Sequence, residues 1–193
     1  MGQLSVNGPS LASFNGNLYI AWTGEHDGNL YVAYAPNGGM EFGGPLTPTQ
    51  KSRFSPSLTV NGTNLMIAWA GTSNNVCVAQ VSLSDAAPAI PANVDPLPNT
   101  VALNVQCPSL ASVTGILYLA WADGNTSQLA MLSSVDNGQT STNFYQSWQR
   151  APVTPTGVNP AGPSLCASGQ NLYFAWPGTD TPLNFAEFIL PAT

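Results

Sequence analysis

Charge is what this chain has least of. Asp, Glu, Lys and Arg make up 6% of its 193 residues, against roughly 25% in an ordinary soluble domain. Three residues are basic, Lys51, Arg53 and Arg150, and the net charge is -6. A phosphate backbone is gripped by clustered Lys and Arg, so nucleic acid is excluded as a partner, and an anionic membrane surface with it. No apolar run reaches the ~18 residues of a membrane span. Met1 to Val6 has neither a basic start nor a long apolar stretch, so no signal peptide is expected. The expected location is cytoplasmic, or outside the cell by a non-classical route.

Histidine and cysteine are scarce too. His26 stands alone, in the loop sequence Glu25-His26-Asp27. One His excludes a Zn centre, and without a Gly-x-Ser-x-Gly elbow a Ser–His–Asp triad has no support. No metal or cofactor is expected. The cysteines, Cys77, Cys107 and Cys166, lie in apolar strand-like contexts and read as buried free thiols.

What the chain does have is repetition. Pro-Ser-Leu begins at Pro9, Pro56, Pro108 and Pro163, and an Ala-Trp pair ends at Trp22, Trp69, Trp121 and Trp176. Pro and Trp are 13 residues apart in every copy, while successive Trp are 47, 52 and 55 apart. A constant interior with variable spacing outside it marks a rigid unit joined by adjustable loops. Between the two motifs stand Asn15-Gly16, Asn61-Gly62, Thr114-Gly115 and Ser168-Gly169, hairpin turn signals. A third apolar run begins seven or eight residues past each Trp: Leu30–Ala33, Val76–Ala79, Leu129–Leu132 and Leu183–Ala186. A weaker fourth strand is expected near Leu46 and Val153.

Both faces of each such sheet are apolar, so it must be sandwiched between neighbours, as stacked propeller blades are. The expectation is an all-β, four-bladed β-propeller with three to four antiparallel strands per ~50-residue blade. One domain spans 1–193, with repeats at 9–55, 56–107, 108–162 and 163–193, and residues 1–8 close the last blade. A homo-oligomer would be another way to close the ring.

The segment around Asn15-Gly16-Asn17-Leu18-Tyr19-Ile20-Ala21-Trp22 and its copies resembles the repeats of sialidase-like and lectin-like β-propellers. Ser134-Val135-Asp136-Asn137-Gly138-Gln139-Thr140 fits that family's Asp-box, Ser-x-Asp-x-Gly-x-Thr. The resemblance implies a structural turn made by Ser134, Asp136, Gly138 and Thr140 between third and fourth strands. Sialidases of this kind hold their substrate with three arginines; this chain has two, so that activity is not expected.

The function expected is non-enzymatic, multivalent carbohydrate binding. Sugars offer hydroxyls to Asp, Asn and backbone groups, and CH faces to aromatic rings. Each repeat follows its Trp with such groups. The candidates are Trp22, Asp27 and Asn29; Trp69, Asn74 and Asn75; Trp121, Asp123 and Asn125; and Trp176, Asp180 and Asn184. Trp148, which no other repeat matches, joins them. Glycans or glycoproteins would be the partners. The four repeated Trp suit wedges between blades better still, and Tyr19, Tyr118 and Tyr173 read as core because Met66 fills the same slot. Ser10, Ser57, Ser109 and Ser164 are expected to bond backbone near the axis. A protein-interaction propeller and a hemopexin-like binder of a small ligand are the alternatives, with a hydrolase of unusual carboxylates after them.

Overall fold

The computed structural model describes residues 4–5, 7–39, 41–43, 48–84, 87–97, 106–123, 125, 128–135, 149–150, 162–178 and 183–188. These form four sheets in series and a small ribbon. The first sheet holds β1 (Ser10–Phe14), β2 (Asn17–Thr23) and β3 (Leu30–Ala35). The second holds β4 (Ser57–Asn61), β5 (Asn64–Ala70) and β6 (Val76–Gln80), and is followed by the ribbon of β7 (Ser82–Leu83) and β8 (Pro88–Ala89). The third holds β9 (Gln106–Val113), β10 (Ile116–Asp123), β11 (Gln128–Ser134) and β12 (Gln149–Arg150). The fourth holds β13 (Ser164–Ser168), β14 (Asn171–Pro177) and β15 (Leu183–Phe188). Every sheet is an antiparallel meander in chain order. No helix of the described residues is long and apolar enough to cross a membrane; a single 3-10 turn, Pro36–Gly38, follows β3.

The tight turn inside each repeat explains the constant spacing, and it comes in two forms. Phe14 pairs with Asn17, leaving Asn15 (φ 49°) and Gly16 (φ 77°) as the loop. Thr114 (φ 50°) and Gly115 (φ 81°) do the same between Val113 and Ile116. Two positive φ angles make a type I′ turn. In the second and fourth repeats the pairs Asn61–Asn64 and Ser168–Asn171 move the glycine to first place, with Gly62 at φ 58° and Gly169 at φ 60°. That is the type II′ pattern. The loop is two residues long either way, so the strands stay in register.

The core lies between sheets, in three layers. Tyr19, Ala21 and Leu30 of the first sheet pack on Ile67 and Trp69 of the second. Met66, Ala68 and Val78 of the second pack on Leu119 and Trp121 of the third. Tyr118, Ala120 and Met131 of the third pack on Leu172 and Phe174 of the fourth. The Trp of the second, third and fourth sheets therefore faces the preceding sheet, and the Tyr or Met slot of the first three faces the following one.

The first strands β1, β4, β9 and β13 touch in sequence. Ser10 Oγ accepts the Leu58 N–H at 2.8 Å, Ser57 Oγ accepts the Leu110 N–H at 2.9 Å, and Ser109 Oγ accepts the Leu165 N–H at 2.9 Å. The serines of the first three Pro-Ser-Leu motifs thus tie each sheet to the leucine of the next, in line with the expected backbone bonding.

Three expectations need correcting. Among the described residues the sheets do not close into a ring, and no sheet takes strands from both ends of the chain. Residues 1–8 do not complete the last sheet where they are described: Ser5 bridges Gly24, and Leu4 O accepts the Glu25 N–H at 3.1 Å. The cysteines are free, but only Cys77 is buried; Cys107 is half-buried and Cys166 exposed on β13. The expected strands at Leu46 and Val153 lie outside the described residues. Outer pairing is seen instead at β12 and at the bridges Asn29–Lys51 and Tyr34–Gly43.

Candidate functional site

The turn after Trp22 gathers several polar side chains. Asp27 sits in the loop from β2 to β3 and organises it. Its Oδ1 accepts the Asn29 N–H at 2.9 Å; its Oδ2 accepts Asn29 Nδ2 at 2.7 Å and the Tyr31 hydroxyl at 2.5 Å. These bonds favour the charged form. The Tyr31 hydroxyl, then the Asn29 N–H, hold the Asp27 carboxyl below its ordinary range. In return the Tyr31 phenol is pushed up, chiefly because it donates to Asp27.

Tyr31 is locked from behind. Its ring stacks on Trp22, with centroids 5.3 Å apart and planes 20° apart. Gly24 admits the arrangement: a Cβ there would stand 2.4 Å from Asp27 Oδ1 and 2.9 Å from the Tyr31 ring. The second sheet repeats the device with an amide. A Cβ on Gly71 would meet Asn75 Oδ1 at 2.0 Å. The N–H groups of Gly24 and Gly71 bond Asn29 O and Asn75 O, each at 2.9 Å.

Two of the chain's three cations border this loop. Lys51 Nζ donates to Asp27 O at 3.3 Å. Arg53 Nη1 donates to Asn74 Oδ1 at 2.7 Å, reaching the turn of the second sheet. Backbone bonds from Leu30 N to Gln50 O and from Ser52 N to Gly28 O fix the intervening strand, both at 2.9 Å. Glu25, His26, Asp27, Lys51 and Arg53 are all exposed. The result is a rim-side patch at the junction of the first two sheets, with acceptors, donors and a half-buried phenol side by side.

The other candidates are distributed differently. Trp22, Trp69 and Trp121 are buried. Trp69 and Trp121 are wedges of the core packed between neighbouring sheets, and Trp22 lies against the Tyr31 ring. The Nε1 atoms of Trp22 and Trp121 are buried without a hydrogen-bond partner. Trp176 is half-buried and stacks on Phe174 at 5.2 Å. Asn74 is in the rim patch, whereas Asn75 is buried beside Cys77. Asp123 is buried and accepts the Asn125 N–H at 2.9 Å, capping its own turn. Asn184 lies on β15 opposite Trp176. Of the Asp-box, Ser134 ends β11 and is buried; Asp136, Gly138 and Thr140 lie outside the described residues, as do Trp148 and Asp180.

Sequence reading passed over Tyr31, Lys51 and Arg53. Tyr31 did carry a signal. The same strand position holds Cys77, Ala130 and Asn184 in the other repeats, so the first repeat departs from pattern there. Lys51 and Arg53 signal themselves only by being two of three cations placed two residues apart.

The sequence matches no protein-family profile and no curated protein. Solved structures do match. The SapL1 lectin, in complex with α-methyl fucoside, superposes with a TM-score of 0.63 at 11% identity, over 94% of this chain and 60% of that one. A triple mutant of AofleA from Arthrobotrys oligospora gives 0.63 at 12%, over 95% and 56%. The exo-β-1,3-galactanase of Phanerochaete chrysosporium, with β-1,3-galactotriose, gives 0.60 at 12%, over 93% and 45%. This is a β-propeller fold. The described residues form four meander sheets in an open series, and the chain spans about half the length of the structures it matches.

Proposed function

We propose that this propeller binds carbohydrate without transforming it, as a lectin whose partners are glycans or glycoproteins. The cluster at Asp27 carries the reading. A carboxylate has roughly four lone-pair sites; three are taken by Asn29 and Tyr31, which fix its direction and leave capacity for a ligand hydroxyl. Lys51 and Arg53 add donors, and Tyr31 adds a ring edge. Sugar hydroxyls both donate and accept, so a mixed patch suits them better than one of a single sign. The sparse charge of the chain suits a neutral sugar.

Binding is favoured over hydrolysis by what lines the axis. A glycosidase needs two facing carboxyl groups ~5–9.5 Å apart. Strands β1, β4, β9 and β13 contain no Asp, Glu, His, Lys or Arg. Loops after Trp69, Trp121 and Trp176 would supply further, non-identical sites, and several weak sites on one body raise avidity for a glycan-coated surface.

A glycan array followed by calorimetry on the best hit tests this. Asp27→Ala and Lys51→Ala should each weaken binding about tenfold or more, since bonds to charged groups contribute ~1.5–3 kcal/mol. Failure to bind any glycan at millimolar concentration ends the proposal. Release of reducing sugar from galactan or xylan would replace it with a hydrolase.

A further inference from the structure

The three joints inside the chain define what each blade face looks like when it is covered. By that standard apolar residues stand uncovered at both ends, although Trp22 at the first end is already buried against Tyr31. Leu58, Leu110 and Leu165, the leucines of Pro-Ser-Leu, are 6%, 4% and 9% exposed against the preceding blade; Leu11, in the same place on the first blade, is 56% exposed. The opposite face shows the converse. Val32, Val78 and Met131 occupy equivalent positions opposite Ala21, Ala68 and Ala120, and are 5%, 1% and 2% exposed against the following blade. Phe185, opposite Ala175 in the fourth blade, is 67% exposed. Its neighbour Leu183 is exposed too, although Leu30, Val76 and Leu129 in that slot are buried.

We infer that the fourth-blade face of one copy docks on the first-blade face of a second copy, head to tail, through the joint the chain already uses three times. The occupant follows from continuity with that interface. The tail face offers what a following blade receives: an exposed Ser164, matching Ser10, Ser57 and Ser109, and an apolar surface of Phe185, Leu183 and Tyr173. The head face offers what a preceding blade receives: Leu11, with its N–H in the position of the Leu58, Leu110 and Leu165 donors. Docking puts Ser164 Oγ opposite the Leu11 N–H of the second copy. Because head and tail differ, the contact is heterologous. Copies joined in this way either close into a ring or continue as an open array.

Sedimentation velocity of the full chain from about 1 to 100 µM tests the inference. Wild type should show concentration-dependent species at multiples of the 20.1 kDa chain mass. Leu11→Glu and Phe185→Glu should each run at the single-chain mass with unchanged near-UV dichroism. Mixed together, they should recombine into a species of twice that mass, because one intact head and one intact tail remain. Ser164→Ala should weaken association roughly five- to tenfold. Cys166, on the tail face opposite Tyr173, should lose reactivity toward a thiol reagent as wild-type concentration rises. A single-chain mass at 100 µM overturns the inference. So does association in which the two Glu variants fail to recombine, which would mean a face-to-face contact.

Discussion

At the residue scale, Asp27 accepts hydrogen bonds from the backbone and side chain of Asn29 and from the Tyr31 hydroxyl, although it is exposed. Its carboxyl is held below the ordinary range, so the sign of its effect is fixed. Its contribution is complete above about pH 4 and is lost as pH falls further, through the lowered value. Melting curves from pH 5 to 2.5 should show a smaller acid-induced drop in Tm for Asp27→Asn than for wild type. Tyr31→Phe should also reduce the drop, since the phenol is the main cause of the shift. The cysteines separate by environment rather than by sequence. Burial, with the Asp95 charge behind it, pushes the Cys77 thiol up to about 12, so at pH 8 it is neither reachable nor ionised. With the chain at low micromolar concentration, a thiol reagent should modify Cys166 first and Cys77 only after denaturant is added.

At the scale of the element, the serine joints are the most economical feature of the fold. Ser57→Ala or Ser109→Ala would leave the N–H of Leu110 or Leu165 without its partner. An unsatisfied buried donor costs about 1–3 kcal/mol, and urea titration should show that loss. Ser164→Ala should leave the stability of the single chain within about 0.5 kcal/mol, as an exposed change does. These strands were legible in the sequence because hairpin length fixes the distance from Pro-Ser-Leu to Ala-Trp, and the turn residues announce themselves. The change of turn type was not legible: Asn61-Gly62 looks like Asn15-Gly16, and only pairing shows that the glycine has moved one place. The role of the tryptophans was not legible either. In a sheet apolar on both sides, alternation cannot say whether a ring meets a neighbouring blade or a ligand. Asp27 and Asn29 stood out as polar residues after a Trp, whereas Tyr31 was hidden in a strand.

For the whole molecule, stability is shared among three layers, and damage should spread unequally. Trp69 is fully enclosed between the first two blades, so Trp69→Ala should lower unfolding free energy by about 3–5 kcal/mol. Phe185→Ala should barely change it in the separated chain. Differential scanning calorimetry on both variants would show the contrast. Ring closure lay beyond sequence reading, because it depends on curvature between blades, which residue patterns do not encode. Consider, finally, what three identical serine joints imply for inheritance. Each seam is built from the same two residues, so duplicating or deleting one whole repeat in the gene would leave every remaining seam matched. Such a lineage can change its blade number in single steps, without passing through a broken intermediate.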